Sequence, residues 1–141
     1  MKKLISISVL LLFIASFSAS MAENKPAKQV KTAVATSKIE LYYFHYTRRC
    51  VTCNAVESET KASIAALYPA EYKNGRITFK SVNLDEDSSA PLAKKCKAEG
   101  QALLVISGAN RTDLTDKGFM YAKSNPAKLK AELKKTIDSL L

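Results

Sequence analysis

Cys50-Val51-Thr52-Cys53 sets two thiols one helical turn apart, directly after an apolar run and the pair Arg48-Arg49. Two sulfurs at that spacing suit reversible thiol–disulfide exchange or the ligation of a soft metal ion. For exchange, the amide groups at a helix N-terminus favour a thiolate over a thiol, which makes Cys50 the attacking nucleophile. Arg48 and Arg49 add to that field where they lie near the sulfur. Cys53, one turn further in, is then the resolving thiol that breaks the mixed disulfide. For a metal, His45, Cys50, Cys53 and Cys96 together offer three thiolates and one imidazole, the ligand set of a structural zinc site. The cysteine pair alone, or with His45, suits Cu(I). Spacing speaks only for the Cys-x-x-Cys part of that set. A third class is an inert adaptor whose cysteines form a structural bridge.

Those cysteines need elements to hold them. Ile39 to Tyr46 is dense in aromatic and branched residues and predicts a central strand. Tyr42, Phe44 and Tyr46 alternate on one face, which suits a core. His45 can turn toward or away from the following helix. Cys53, Val56, Thr60, Ile64 and Leu67 then recur at three or four residues, predicting a helix over 51–68. The strand therefore delivers the cysteines to a helix N-terminus. Asn74-Gly75 marks a turn before a second strand over 76–84, parallel to the first because a helix connects them. Ser88 or Ser89 as cap, Pro91 in the first turn and Gly100 as stop predict a short helix over 90–99. Cys96 falls four residues after Leu92, on its apolar side, and reads as a small buried hydrophobe rather than a third redox thiol. Leu103-Leu104-Val105-Ile106 predicts a buried strand, residues 108–111 a hairpin turn, and 112–115 an antiparallel return. Ser124-Asn125-Pro126 caps a last helix carrying Leu129, Leu133, Ile137 and Leu140. The order is β-α-β-α-β-β-α, an α/β fold with a mixed sheet.

Compartment bears on how the sulfurs are read. Lys2 and Lys3 precede an apolar run from Leu4 to Phe17, and Ser20-Met21-Ala22 supplies small residues at the positions a signal peptidase inspects. Residues 1–22 therefore predict a cleaved signal peptide. The apolar core is shorter than the ~20 residues of a spanning helix, which weighs against an uncleaved anchor. No cysteine ends the segment, so nothing marks a lipoprotein. Removing 22 of the 141 residues leaves 119; removing Lys2 and Lys3 from the 22 basic residues leaves 20 against 13 acidic ones, a net charge of about +7. Residues 23–37, rich in Lys, Ala and Thr, predict a flexible leader before a single domain over 38–141. An exported basic protein meets acidic partners or an anionic membrane face rather than nucleic acid, although lysines scattered on solvated helix faces account for the same charge. Three cysteines in an oxidising compartment make one pair and one spare. Asp85-Glu86-Asp87 is read as a solvated loop. With no glycine-rich phosphate loop, no flavin fingerprint and one histidine, a self-contained nitroreductase or acid–base hydrolase is not expected.

A Cys-x-x-Cys opening a helix after a strand in a β-α-β unit resembles the thioredoxin-like proteins, and the resemblance covers the domain from about Lys38 to Leu141. More narrowly, Tyr-Tyr-Phe-His-Tyr-Thr-Arg-Arg-Cys-Val-Thr-Cys, the Gln-Ala-Leu-Leu-Val segment and Thr-Asp-Leu-Thr resemble the exported "nitrophenyl compound nitroreductase subunit ArsF family". The chain departs from thioredoxins at three places. Arg49 stands where they carry tryptophan and Phe44 where they carry a buried aspartate, while Gln101 or Ala102 replaces the cis-proline that faces the disulfide. The resemblance implies thiol–disulfide oxidoreductase chemistry at Cys50 and Cys53. It also implies auxiliary contacts from Arg48, Arg49, Gln101 and Ala102, and no cofactor beyond the disulfide. A protein partner, such as a transmembrane thiol transporter, would be met by a monomeric periplasmic carrier or accessory subunit. Zn or Cu belongs to the metal alternative.

Overall fold

The computed structural model describes residues 37–141; the signal peptide expected over 1–22, and the leader expected over 23–37 except for Ser37, lie outside the described residues. The elements are β1 (Ile39–His45), α1 (Val51–Leu67), α2 (Pro69–Lys73), β2 (Ile77–Asn83), α3 (Ala90–Cys96), β3 (Ala102–Ser107), β4 (Asn110–Asp113), α4 (Thr115–Tyr121) and α5 (Pro126–Asp138). The strands form one sheet in the order β2-β1-β3-β4. β2 runs parallel to β1, and β3 and β4 pair antiparallel to their neighbours. This is the thioredoxin-like β-α-β-α-β-β-α arrangement with α2 and α4 added.

β1 is central because its composition suits burial on both faces. Only Glu40 escapes full burial. Leu41 and Tyr43 join a core with Val56, Ile64, Leu129 and Ile137, whereas Tyr42 and Phe44 join a second core with Val82, Cys96 and Leu104. Fully burying such a side chain contributes about 1.5–3 kcal/mol. With Ile39, Leu41, Tyr43 and Phe44 all at 0 % exposure, β1 is the element the fold can least lose. Tyr46 departs from the expected core face. It lies one residue past the strand and is 40 % exposed, because alternation ends where the ladder ends.

α1 buries Cys53, Val56, Thr60 and Ile64 and stops at Leu67. Tyr68 then fastens it to α5, its hydroxyl donating to Asp138 Oδ1 at 2.7 Å and to the Lys134 carbonyl at 3.2 Å. α2, opened by Pro69, was not expected. The helix expected over 90–99 ends instead at Cys96. Lys97 adopts left-handed backbone (φ 53), and its N–H is shared by the carbonyls of Ala93 and Lys94. That conformation costs a non-glycine residue about 1–2 kcal/mol. Arg111 of β4 offsets it by donating from Nε to the Cys96 carbonyl (2.9 Å) and from a terminal nitrogen to that of Lys97 (3.3 Å).

The hairpin is tighter than the sequence predicts. Ser107 pairs with Asn110, so Gly108 (φ 58) and Ala109 alone make the turn and β4 begins at Asn110. α4 also went unpredicted. Its Gly118 is needed for close approach, since a Cβ there would meet Leu103 at 3.2 Å and Val56 at 3.3 Å. α5 is capped as expected, by the Asn125 side chain accepting from the Lys128 N–H at 3.1 Å, and buries Leu129, Leu133 and Ile137. Leu140 lies just past its end, partly buried against the core.

Candidate functional site

Cys50 is the N-cap of α1, extended in backbone and exposed, and Cys53 is 4 % exposed one turn further in. The two are joined by a disulfide, with Cα atoms 5.0 Å apart. The Cys53 N–H points at Cys50 Sγ, 3.0 Å away. That contact explains the local fold: a sulfur takes the capping role usually held by a hydroxyl or carboxylate, satisfying one of the unpaired amides of the first turn. The same amide favours a thiolate once the bond is reduced.

The loop that presents Cys50 is strapped to the loop after β2. Asp85 accepts from the Thr47 N–H at 2.7 Å, Asn83 donates to the Thr47 hydroxyl at 3.0 Å, and the Leu84 N–H donates to the His45 carbonyl at 2.7 Å. The Thr47 N–H holds the Asp85 carboxyl below the usual carboxylate range. Asp85 is thus a brace for the loop, a role that reading it as a solvated carboxylate missed.

The two arginines diverge. Arg48 is exposed. Arg49 turns along the flank of α1, where it forms an ion pair with Glu57 and donates to the Cys53 carbonyl at 3.4 Å. Its guanidinium carbon lies 5.7 Å from the centre of the Tyr43 ring. Burial raises the Tyr43 hydroxyl above its ordinary pKa, and the Arg49 charge pulls partly the other way. Glu57 was not singled out from sequence. Its signal is a carboxylate one turn after Cys53, on a helix whose N-cap is immediately preceded by Arg49.

On the opposite wall, Gln101 Oε1 lies 3.9 Å from Cys53 Sγ, and Ala102 is buried as the first residue of β3, paired with Phe44. Gln101 therefore occupies the position facing the disulfide. It also borders an open polar groove of about 560 Å³ whose lining includes Lys97, Glu99, Arg111 and Asp116.

The four residues of the metal alternative are not brought together. Cys96 lies in the core beneath α3, on the other face of the sheet from Val56 and Tyr43. His45 is buried at the end of β1, its Nδ1 2.9 Å from the Tyr46 carbonyl and its ring 5.7 Å from that of Tyr43. Among the described residues no three His, Cys, Asp or Glu side chains converge as a metal cage. Strand alternation separates Cys96 from the Cys50–Cys53 pair: Tyr42 and Phe44 pack with Cys96 on one side of the sheet while α1 lies on the other.

No family model matches the chain. No curated protein matches it significantly. A solved structure described as "Structure of a malarial protein" is similar over 70 % of this chain and 97 % of its own, at 19 % identity and a TM-score of 0.44.

Proposed function

We propose that this chain is an exported thiol–disulfide redox protein of the thioredoxin-like superfamily, cycling Cys50 and Cys53 between disulfide and dithiol. One observation carries the proposal: an exposed sulfur at a helix N-cap is bonded to a buried one a turn further in. In the reducing direction the Cys50 thiolate attacks one sulfur of a partner disulfide, forming a mixed disulfide and releasing the partner's other sulfur as a thiolate. Cys53 then attacks Cys50 Sγ, re-forming the internal bond and releasing the second partner sulfur. Two electrons and two protons pass to the partner, and no cofactor beyond the pair takes part. The exposure difference supports this order of attack, because only Cys50 can be reached by a second protein.

The resemblance to the exported ArsF family supports a carrier or accessory subunit of a reductive or detoxifying system, acting as an oxidoreductase outside the cytoplasm. Its partner is a protein, and a membrane thiol transporter fits the need to bring reducing equivalents across a bilayer. Equilibration with glutathione tests the core of the proposal. A potential above about −300 mV is expected; a lower one makes the bond structural and overturns it. Stoichiometric Zn or Cu in the purified protein would overturn it in favour of metal binding. Cys53→Ala should trap mixed disulfides through Cys50, and failure to trap any partner counts against the order of attack.

A further inference from the structure

We propose that Glu57 is a positioning residue for the cysteine pair: by holding Arg49 in an ion pair along α1 it withholds the arginine's charge from the sulfurs and so sets how easily Cys50–Cys53 is reduced. This rests on the redox function proposed above.

Arg49 immediately precedes the N-cap, where an unpaired cation would add to the positive field of the first turn. It is not unpaired. Its terminal nitrogen contacts Glu57 Oε2 and donates to the Cys53 carbonyl, so the pair spans the turn that contains both cysteines. The two side chains are only 23 % and 27 % exposed, which limits screening by solvent. Arg49 Nε is buried with no hydrogen-bond partner, and besides Glu57 the guanidinium meets the Cys53 carbonyl and the Tyr43 side chain, neither of which carries a formal charge. Together the two groups are neutral. Removing either leaves the other's full charge within about two turns of the sulfurs.

The consequences have opposite signs. The disulfide is uncharged, whereas its reduction yields a thiol that ionises. A guanidinium released by Glu57→Gln stabilises the thiolate and hence the reduced form, making the bond easier to reduce. A carboxylate released by Arg49→Met does the reverse. A merely structural pair would instead shift the melting temperature in both variants and leave the redox equilibrium where it was.

The test is equilibration with glutathione, in which one protein disulfide and two glutathione thiols give one protein dithiol and one glutathione disulfide. Glu57→Gln should raise the equilibrium constant for reduction about fivefold, and Arg49→Met should lower it about fivefold, the scale of one partly screened charge at this range. Fivefold is about 20 mV for a two-electron couple. The double variant should return to within about twofold of the parent, and Arg49→Lys should stay near it. Singles that both remain within twofold, or both move the same way, overturn the inference. Should Arg49→Met fail to fold, Glu57→Gln decides alone: its shift should shrink as salt rises from about 0.05 to 1 M. A shift insensitive to salt overturns the proposal. A parent protein that does not exchange with glutathione at all defeats the redox function first, before any variant is made, and this inference with it.

Discussion

Cys50 and Cys96 both sit at helix ends, and the ends are opposite. Cys50 caps the N-terminus of the 17-residue α1, exposed, with the Cys53 N–H 3.0 Å from its sulfur. Cys96 is the last residue of α3, 3 % exposed among Tyr42, Phe44, Ala93 and Leu104. Burial pushes its thiol up, with Lys95 pulling weakly the other way. One element thus serves two purposes according to which backbone groups it meets: amide hydrogens and solvent favour a thiolate, carbonyls and apolar packing favour a thiol. Both faces of the sheet are packed with apolar side chains, and the polar group of Arg49 and Glu57 lies at the edge of the α1 core, against Tyr43.

The largest expected effect sharpens this contrast directly. In the reduced protein, iodoacetamide should modify Cys50 at least about a hundredfold faster than Cys96 at pH 7, as read by mass spectrometry over time. Comparable rates would erase the distinction. Because the folded-state pKa of Cys96 is raised, the stability its neutral thiol contributes is present below the ordinary value of 9.0 and declines as pH rises beyond it.

Next comes the clasp over the end of α3. Arg111→Ala leaves the Cys96 and Lys97 carbonyls without their donor and should cost about 1–2 kcal/mol in chemical denaturation, with the Cys50–Cys53 equilibrium unmoved. Cys96→Ala removes one buried sulfur and should cost about 1 kcal/mol, again without altering exchange at the other pair. A changed redox equilibrium in either variant would join the two faces that the structure separates.

The smallest effect concerns the brace before Cys50. The folded pKa of Asp85 is depressed, so its contribution is present above the unfolded value of 3.8 and is lost as pH falls through the folded one. Thermal melts from pH 7 down to 2 should show that loss. Asp85→Asn should flatten part of the acid limb and loosen amide protection at Thr47. An unchanged acid limb would remove Asp85 from the bracing of this loop.

Much of the frame was legible in the residues. β1, α1, β2, β3 and α5 carry dense apolar patterns or local caps, which act over a few residues and need no tertiary partner to be read. α4 carries no dense apolar pattern. Seven residues long, it has an N-cap residue, Leu114, that offers no side-chain bond; Asp113 just before it accepts from the Thr115 N–H at 3.0 Å, and Gly118 lets the helix press against Leu103 and Val56. The end of α3 was misplaced for a related reason: Gly100 was the obvious stop, but Arg111, fifteen residues beyond Cys96, reaches back to cap a left-handed lysine. Tyr46 was placed in the core because alternation says nothing about where a strand ends.

For the site, spacing alone determined that Cys50 and Cys53 share the first turn of a helix, since a Cys-x-x-Cys after a strand has few other places to be. Only the tertiary structure decided which of the remaining charged and sulfur groups join them. It sent Cys96 to the other face of the sheet, turned Arg49 away along α1 toward Glu57, and set Gln101 against Cys53 from a segment nearly fifty residues on. Periodicity records what lies one turn or one strand position away. Electrostatic partnership depends on distances of a few ångströms between segments that the chain itself keeps far apart.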